Sequence, residues 1–182
     1  MLTNTRVPTR RDRIPALPRW VGTIQHAIDH APPERLPQAV AEILQADVTL
    51  GELLDQEQRQ GCADHYARHV LYSHPMGLFT VVALVWRAGQ HSPIHGHYTW
   101  CAYKVLAGEM QEEHFAWDRQ TDCARYQGKI SKLPGETAAG HAGLDQIHRL
   151  GNAGMDTAIS VHVYGVGGAR VATHVNRIVT AA

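Results

Sequence analysis

A mainly β fold, a small antiparallel barrel or jelly roll with N-terminal helices packed on it, is predicted by three observations. Short apolar stretches follow one another through the second two thirds of the chain, glycine and proline punctuate them closely, and the helix-period patterns all precede them. At 182 residues the chain is long enough for one substantial core and short for two.

The helical signals come first. Trp20, Val21, Ile24 and Ile28 follow Pro18 at helical spacing, and Leu36, Val40, Ile43 and Leu44 follow Pro32 and Pro33. A third short helix is expected over residues 50–58, with Gly61 just past its end. From Tyr66 the pattern shortens to strands. One carries Tyr66 and Arg68, and others are expected over residues 78–86, 97–106, 110–117, 124–133, 159–164 and 171–179, with His148 opening a further apolar β segment. Gly89, Gly108, Pro134 with Gly135, Gly151 and the glycines of 165–168 separate them, which is the spacing of an antiparallel sandwich or barrel. The expected organisation is a flexible basic N-terminus over residues 1–15 and one domain over 16–182, with a helical preface at 16–61 and the β-barrel at 65–182.

Composition narrows the function classes. Seventeen basic side chains balance seventeen acidic ones, so the chain lacks the net positive field of a nucleic-acid binder. No apolar run reaches the ~18 residues of a membrane helix, and no membrane role is expected. The cluster Arg6, Arg10, Arg11 and Arg13 has no apolar signal-peptide core beside it. Cys62, Cys101 and Cys123 cannot all pair within the chain and form no CxxC knuckle, so reduced thiols and a cytoplasmic location are expected. The expected assembly is a monomer or small homo-oligomer.

Thirteen histidines are the unusual feature, because imidazole is the side chain best suited to metals and to protons near neutral pH. In GQHSPIHGHYTWCAYKVLAG, residues 89–108, a strand would place His95, His97 and Cys101 on one face. A third ligand has to come from elsewhere, and His148 in GLDQIHRLGN is the candidate. Ser160, His162 and Tyr164 also alternate along one strand, where serine can orient the imidazole and the imidazole the phenol.

Together these segments resemble the two cupin motifs. Gly89 is followed after five residues by His95-Gly96-His97, after three more by Cys101 and after six more by Gly108, and later come Gly128, Pro134, His148 and Asn152. Most cupins place a glutamate where this chain has Cys101. A neutral three-imidazole site leaves a divalent iron with its full charge and with open positions, and so favours a substrate that brings its own thiolate.

The blocks TyrAlaArg at 66–68, HisGlyHis at 95–97, IleHisArg at 147–149 and SerValHisValTyr at 160–164 resemble the cysteine dioxygenase family of non-haem iron thiol dioxygenases. The resemblance implies Fe(2+) on His95, His97 and His148, and an outer chain of Ser160, His162 and Tyr164 as catalytic groups. It also implies a substrate carboxylate held by Arg68 beside Tyr66, and O2 as co-substrate. Cys101 matches the cysteine that is thioether-linked, in mammalian-type members, to the tyrosine equivalent to Tyr164. Arg68 ranks L-cysteine first, since members preferring 3-mercaptopropionate tend to have glutamine there. Mercaptosuccinate ranks a close second, because Arg170 or Arg177 can supply a second cation at the pocket mouth. A non-catalytic metal- or ligand-binding cupin is the alternative from another class, and a metal-dependent isomerase using Glu109 or Glu112 is a further one.

Overall fold

The computed structural model describes residues 16–46 and 53–182. Two helices, α1 (Ala16–His30) and α2 (Leu36–Leu44), precede ten strands: β1 (Ala67–Ser73), β2 (Thr80–Trp86), β3 (His95–His97), β4 (Cys101–Ala107), β5 (Met110–Asp118), β6 (Cys123–Lys132), β7 (Thr137–Gly140), β8 (Gly143–Asn152), β9 (Ala158–Tyr164) and β10 (Asn176–Ile178). The strands form two five-stranded antiparallel sheets, ordered β1-β2-β9-β4-β7 and β10-β3-β8-β5-β6. This is the cupin double-stranded β-helix, mainly β as the sequence predicts, with two facing sheets that do not close into one continuous ladder.

The helices cover the outer face of the first sheet. Leu17, Trp20, Ile24, Val40 and Leu44 pack with Val81, Ala83, Val85, Ala102, Val161 and Val163, one face of β2, β4 and β9. The other face of the same strands, with Val82, Leu84, Trp86, Tyr103 and Val105, packs between the sheets against Met110 and Leu150. That double burial explains why TVVALVW reads as a continuous apolar run and is buried throughout. Lys104, buried on β4, donates from Nζ to the carbonyls of Gln45 and Ala46, each at 3.1 Å, and so ties the C-terminal end of α2 to the sheet.

Three expectations about elements are corrected. The strand expected over 97–106 is two strands in different sheets: β3 belongs to the second sheet, β4 to the first, and the chain crosses between them at 98–100. The strand expected over 171–179 is mostly turn. After a 3-10 turn at Gly168–Arg170, the N–H groups of Val171, Thr173 and His174 bond to carbonyls three or four residues back, which leaves β10 only three residues. The helix expected over 50–58 lies partly outside the described residues. Within them only Leu53 is helical before a 3-10 turn at Gln58–Gln60, and Gly61 follows at φ 67°. The expected flexible stretch 1–15 lies outside the described residues.

β8 is longer than the sequence suggests and carries His148 in its middle. Its pairing with β3 shifts register between the His95–His148 and His97–Gly143 pairs, so β8 bulges opposite Gly96. A Cβ on Gly96 would run into the carbonyl oxygen of Gly143, with the Leu144 side chain 3.0 Å away. Gly96→Ala is therefore expected to cost about 1–3 kcal/mol by overpacking and to lower Tm by several degrees, measured by thermal denaturation. An unchanged Tm would show that the β3–β8 contact is not tight.

Candidate metal centre

His95 and His97 arrive from β3 and His148 from β8, where it pairs directly with His95. Direct antiparallel partners project to the same face, and the two-residue strand period sends His97 there too. The ring centroids form a nearly even triangle, 5.1 Å for His95–His97, 4.7 Å for His95–His148 and 5.0 Å for His97–His148. One nitrogen of each ring lies within 4.8 Å of the others.

The protonation pattern leaves lone pairs free. Burial, reinforced by His148, pushes His95 down to about 3 and His97 down to about 2 from the ordinary 6.5, so both are neutral at pH 7. His95 donates from Nδ1 to the carbonyl of Pro93 at 2.8 Å, which frees Nε2. His148 places Nδ1 2.6 Å from Oε1 of Glu112 and likewise frees Nε2. His97 has its Nδ1 buried with no partner in the protein and its Nε2 3.4 Å from Cys101 Sγ. A buried imidazole nitrogen without a partner, beside two rings whose other nitrogens are already bonded, fits a divalent metal as the missing partner.

One cavity joins this cluster to most of the other residues singled out from the sequence. It is lined by the three histidines, Cys101, Tyr103, His162, Tyr164, Trp86, Tyr66 and Arg68, among others. Cys101 is the cross-strand partner of Tyr164, and burial pushes its thiol up to about 12, so it is a neutral SH. Burial likewise raises the Tyr164 phenol above its ordinary range, and the Cys101 thiol adds to the effect.

The chain through Ser160, His162 and Tyr164 has an unexpected beginning and a changed end. Trp86 Nε1, which can only donate, bonds Ser160 Oγ at 3.0 Å, and Ser160 Oγ lies 2.8 Å from Nε2 of His162. The serine proton is thereby directed to Nε2, which leaves the proton of neutral His162 on Nδ1. The last step is a ring contact rather than a hydrogen bond, with the His162 and Tyr164 rings stacked 5.6 Å apart. Trp86 was not singled out from the sequence, where it reads as the apolar end of a strand.

Arg68, expected to hold a substrate carboxylate, lines the same cavity. It stands exposed at the cavity mouth, donates from Nη2 to the Tyr66 hydroxyl at 2.6 Å and lies 5.2 Å over the Tyr66 ring. Tyr66 in turn stacks on Trp86 with centroids 4.2 Å apart. The tyrosine supplies the partner that a lone buried guanidinium would have lacked. Arg170 is carried away by the 3-10 turn after β9 and lines a separate depression with Tyr98, Thr99 and His174. Arg177 is exposed on β10, and its neighbour Asn176 reaches the cavity instead. Arg68 is the one lysine or arginine among the described residues lining the cavity.

Sequence reasoning also passed over what Glu112 does. Its carboxylate is buried on β5, bonded to His148 on one oxygen and to the Tyr103 hydroxyl on the other at 2.9 Å. Burial alone would raise its pKa, but the bonds and charge of His148 and the bond from Tyr103 outweigh burial and hold it down to about 2. In MQEEHF it looks like the solvent side of a strand, although the two-residue period sets it on the face of buried Met110.

The fold and the converging histidines define a cupin with a candidate metal centre. The chain belongs to the cysteine dioxygenase type I family, whose sequence model matches residues 60–169. Among solved structures it is similar to TT1209 from Thermus thermophilus, at 16% identity over 66% of this chain and 96% of that one, with a TM-score of 0.49. It is also similar to a Cupin 2 conserved barrel domain protein from Salinispora arenicola, at 16% identity over 59% of this chain and 80% of that one, TM-score 0.43. An oxalate oxidase in complex with the substrate analogue glycolate matches at 15% identity and a TM-score of 0.47, over 66% of this chain and 59% of its own. No helix among the described residues is long and apolar enough to cross a membrane.

The buried His162 sets a pH dependence. Burial pushes its pKa from 6.5 down to about 3, so the unfolded chain takes up this proton before the folded one does. Stability is then full above about pH 6.5 and falls as the pH drops toward 3, by up to about 1.4 kcal/mol per pH unit from this group. Denaturant titrations of metal-free protein at pH 7.5 and pH 5 are expected to show a smaller loss for His162→Gln than for the parent. Parallel losses would contradict the buried neutral imidazole.

Proposed function

We propose that the protein is an iron-dependent thiol dioxygenase that converts L-cysteine and O2 to the sulfinic acid, working as one cupin unit over residues 16–182. The observation that carries this reading is the single cavity in which three converging imidazoles, Tyr164 and Arg68 meet, in a chain of the cysteine dioxygenase type I family. His95, His97 and His148 would hold Fe(2+), which when bound supplies the redox chemistry that adds both oxygen atoms to sulfur.

The chain's own residues bind and orient. Arg68, steadied by Tyr66, offers a planar guanidinium that can make two parallel hydrogen bonds to a carboxylate. Tyr164 keeps its proton and presents the phenol to the cavity, with His162, Ser160 and Trp86 behind it setting the ring position. Cys101 stays a neutral thiol beside His97 and leaves the anionic sulfur role to the substrate. The pairing of Cys101 with Tyr164 across β4 and β9 also supports a later thioether between them, in which one C–S bond would replace the Cys101 S–H and a Tyr164 ring C–H, with O2 taking up the two electrons and two protons released.

Substrate rank follows from the cation count at the cavity. A thiol with one carboxylate matches Arg68, whereas mercaptosuccinate would bring a second carboxylate to a site where Arg170 does not reach. L-cysteine therefore ranks above mercaptosuccinate, with 3-mercaptopropionate a further alternative.

Oxygen uptake by the anaerobically iron-loaded protein, with mass analysis of the product, tests the proposal against L-cysteine, mercaptosuccinate, 3-mercaptopropionate and cysteamine. The highest kcat/KM is expected with L-cysteine, and cysteamine, which lacks the carboxylate, is expected to be poor. No thiol-dependent uptake would leave a non-catalytic cupin, and a preference for mercaptosuccinate would overturn the substrate assignment. Because Arg68 is exposed, its charged hydrogen bonds fall at the low end of the usual range of roughly 1.5–3 kcal/mol, so Arg68→Ala is expected to raise KM for L-cysteine about tenfold and leave cysteamine nearly unaffected. Tyr164→Phe should lower kcat far more than iron content, measured by metal analysis, and equal loss of both would assign the phenol a structural role.

A further inference from the structure

Three candidate ligands face one another at this site, but their outer nitrogens are treated unequally. The Nδ1 of His95 meets a neutral backbone carbonyl and that of His148 meets a carboxylate, whereas neither ring nitrogen of His97 bonds a carboxylate. Glu112 gets there by strand register. His114 pairs with His148 across β5 and β8, and Glu112, two residues earlier, shares the face of His114. Its side chain is 7% exposed, with Oε1 2.6 Å from His148 Nδ1 and Oε2 2.9 Å from the Tyr103 hydroxyl. Tyr103 belongs to β4 in the opposite sheet, so the carboxylate is held from both sheets at once.

We infer that Glu112, braced by Tyr103, is a positioning residue that fixes the tautomer and direction of His148 and sets one negative charge behind a three-imidazole metal site that otherwise has none. The inference rests on the metal reading of the three histidines. A carboxylate can only accept, so Nδ1 of His148 must carry a hydrogen, and Nε2 is the nitrogen left for a metal beside His95 and His97.

A purely structural strut between the sheets would also explain the bonds, and the two roles separate experimentally. Long-range proton–nitrogen NMR spectra of the 15N-labelled, metal-free parent are expected to show His148 with hydrogen on Nδ1. In Glu112→Gln the amide can donate to Nδ1, which moves the hydrogen to Nε2, and Fe(2+) affinity in anaerobic competition titrations is expected to fall roughly 10- to 100-fold. Glu112→Asp, which keeps the charge, should stay nearer the parent, and Tyr103→Phe should retain the tautomer and lose less than about tenfold. A His148 without hydrogen on Nδ1 in the parent, or iron binding by Glu112→Gln within about twofold of the parent at any stability, would overturn the inference. If Glu112→Gln fails to fold, the tautomer of the parent and the affinity of Tyr103→Phe still decide it. A parent that binds no Fe(2+) or Co(2+) at all would instead sink the metal reading, and the tautomer measurement would stand apart from that outcome.

Discussion

The site depends first on the pairing of β3 with β8, which sets His95 opposite His148. A shift of one residue in either strand would turn an imidazole to the outer face, because strand side chains alternate. Gly96 between the two histidines permits the close approach of Gly143, and the two-residue period of β3 keeps His97 on the face of His95. The register that builds the second sheet is thus also the register that builds the metal centre.

Around that pairing the two sheets supply different things. The second sheet brings the three imidazoles and Glu112, while the first brings Tyr103, Cys101 and the row Ser160, His162, Tyr164. The first sheet can carry so many polar groups inward because its other face is sealed by α1 and α2, so its strands keep a full apolar layer. Buried polar groups are costly when unpaired, and here nearly every one has a partner: Trp86 for Ser160, Ser160 for His162, Tyr103 for Glu112, Glu112 for His148. His97 Nδ1 is the exception at this site, and it lies where a metal would complete the set.

The parts legible in the sequence are those that local pattern encodes. The apolar stripe of α1, the run of β2 and the alternation of Ser160, His162 and Tyr164 each follow from a period, and glycine and proline mark most strand ends. The pairing of His148 with His95 is legible only through the resemblance of both motifs together. What escaped depends on tertiary geometry. The crossing at 98–100 has no glycine or proline to announce it, so β3 and β4 read as one strand. Trp86 and Glu112 act through partners from other strands, and a strand's own pattern does not say which neighbour it will meet. Arg170 follows a glycine-rich turn whose direction the sequence leaves open, and the turn carries it to another depression.

X-ray absorption at the iron edge of the Fe(2+)-loaded protein, recorded anaerobically before and after L-cysteine, reads the histidine ligands and the incoming thiolate together. The account expects three imidazole nitrogens at about 2.0–2.3 Å without thiol, lost in part when His148 is replaced by alanine, and a sulfur scatterer at about 2.3 Å that enters only with the thiol. A sulfur already present in the thiol-free protein would make Cys101 a ligand, and a spectrum unchanged by L-cysteine would contradict direct binding of the thiolate at this centre.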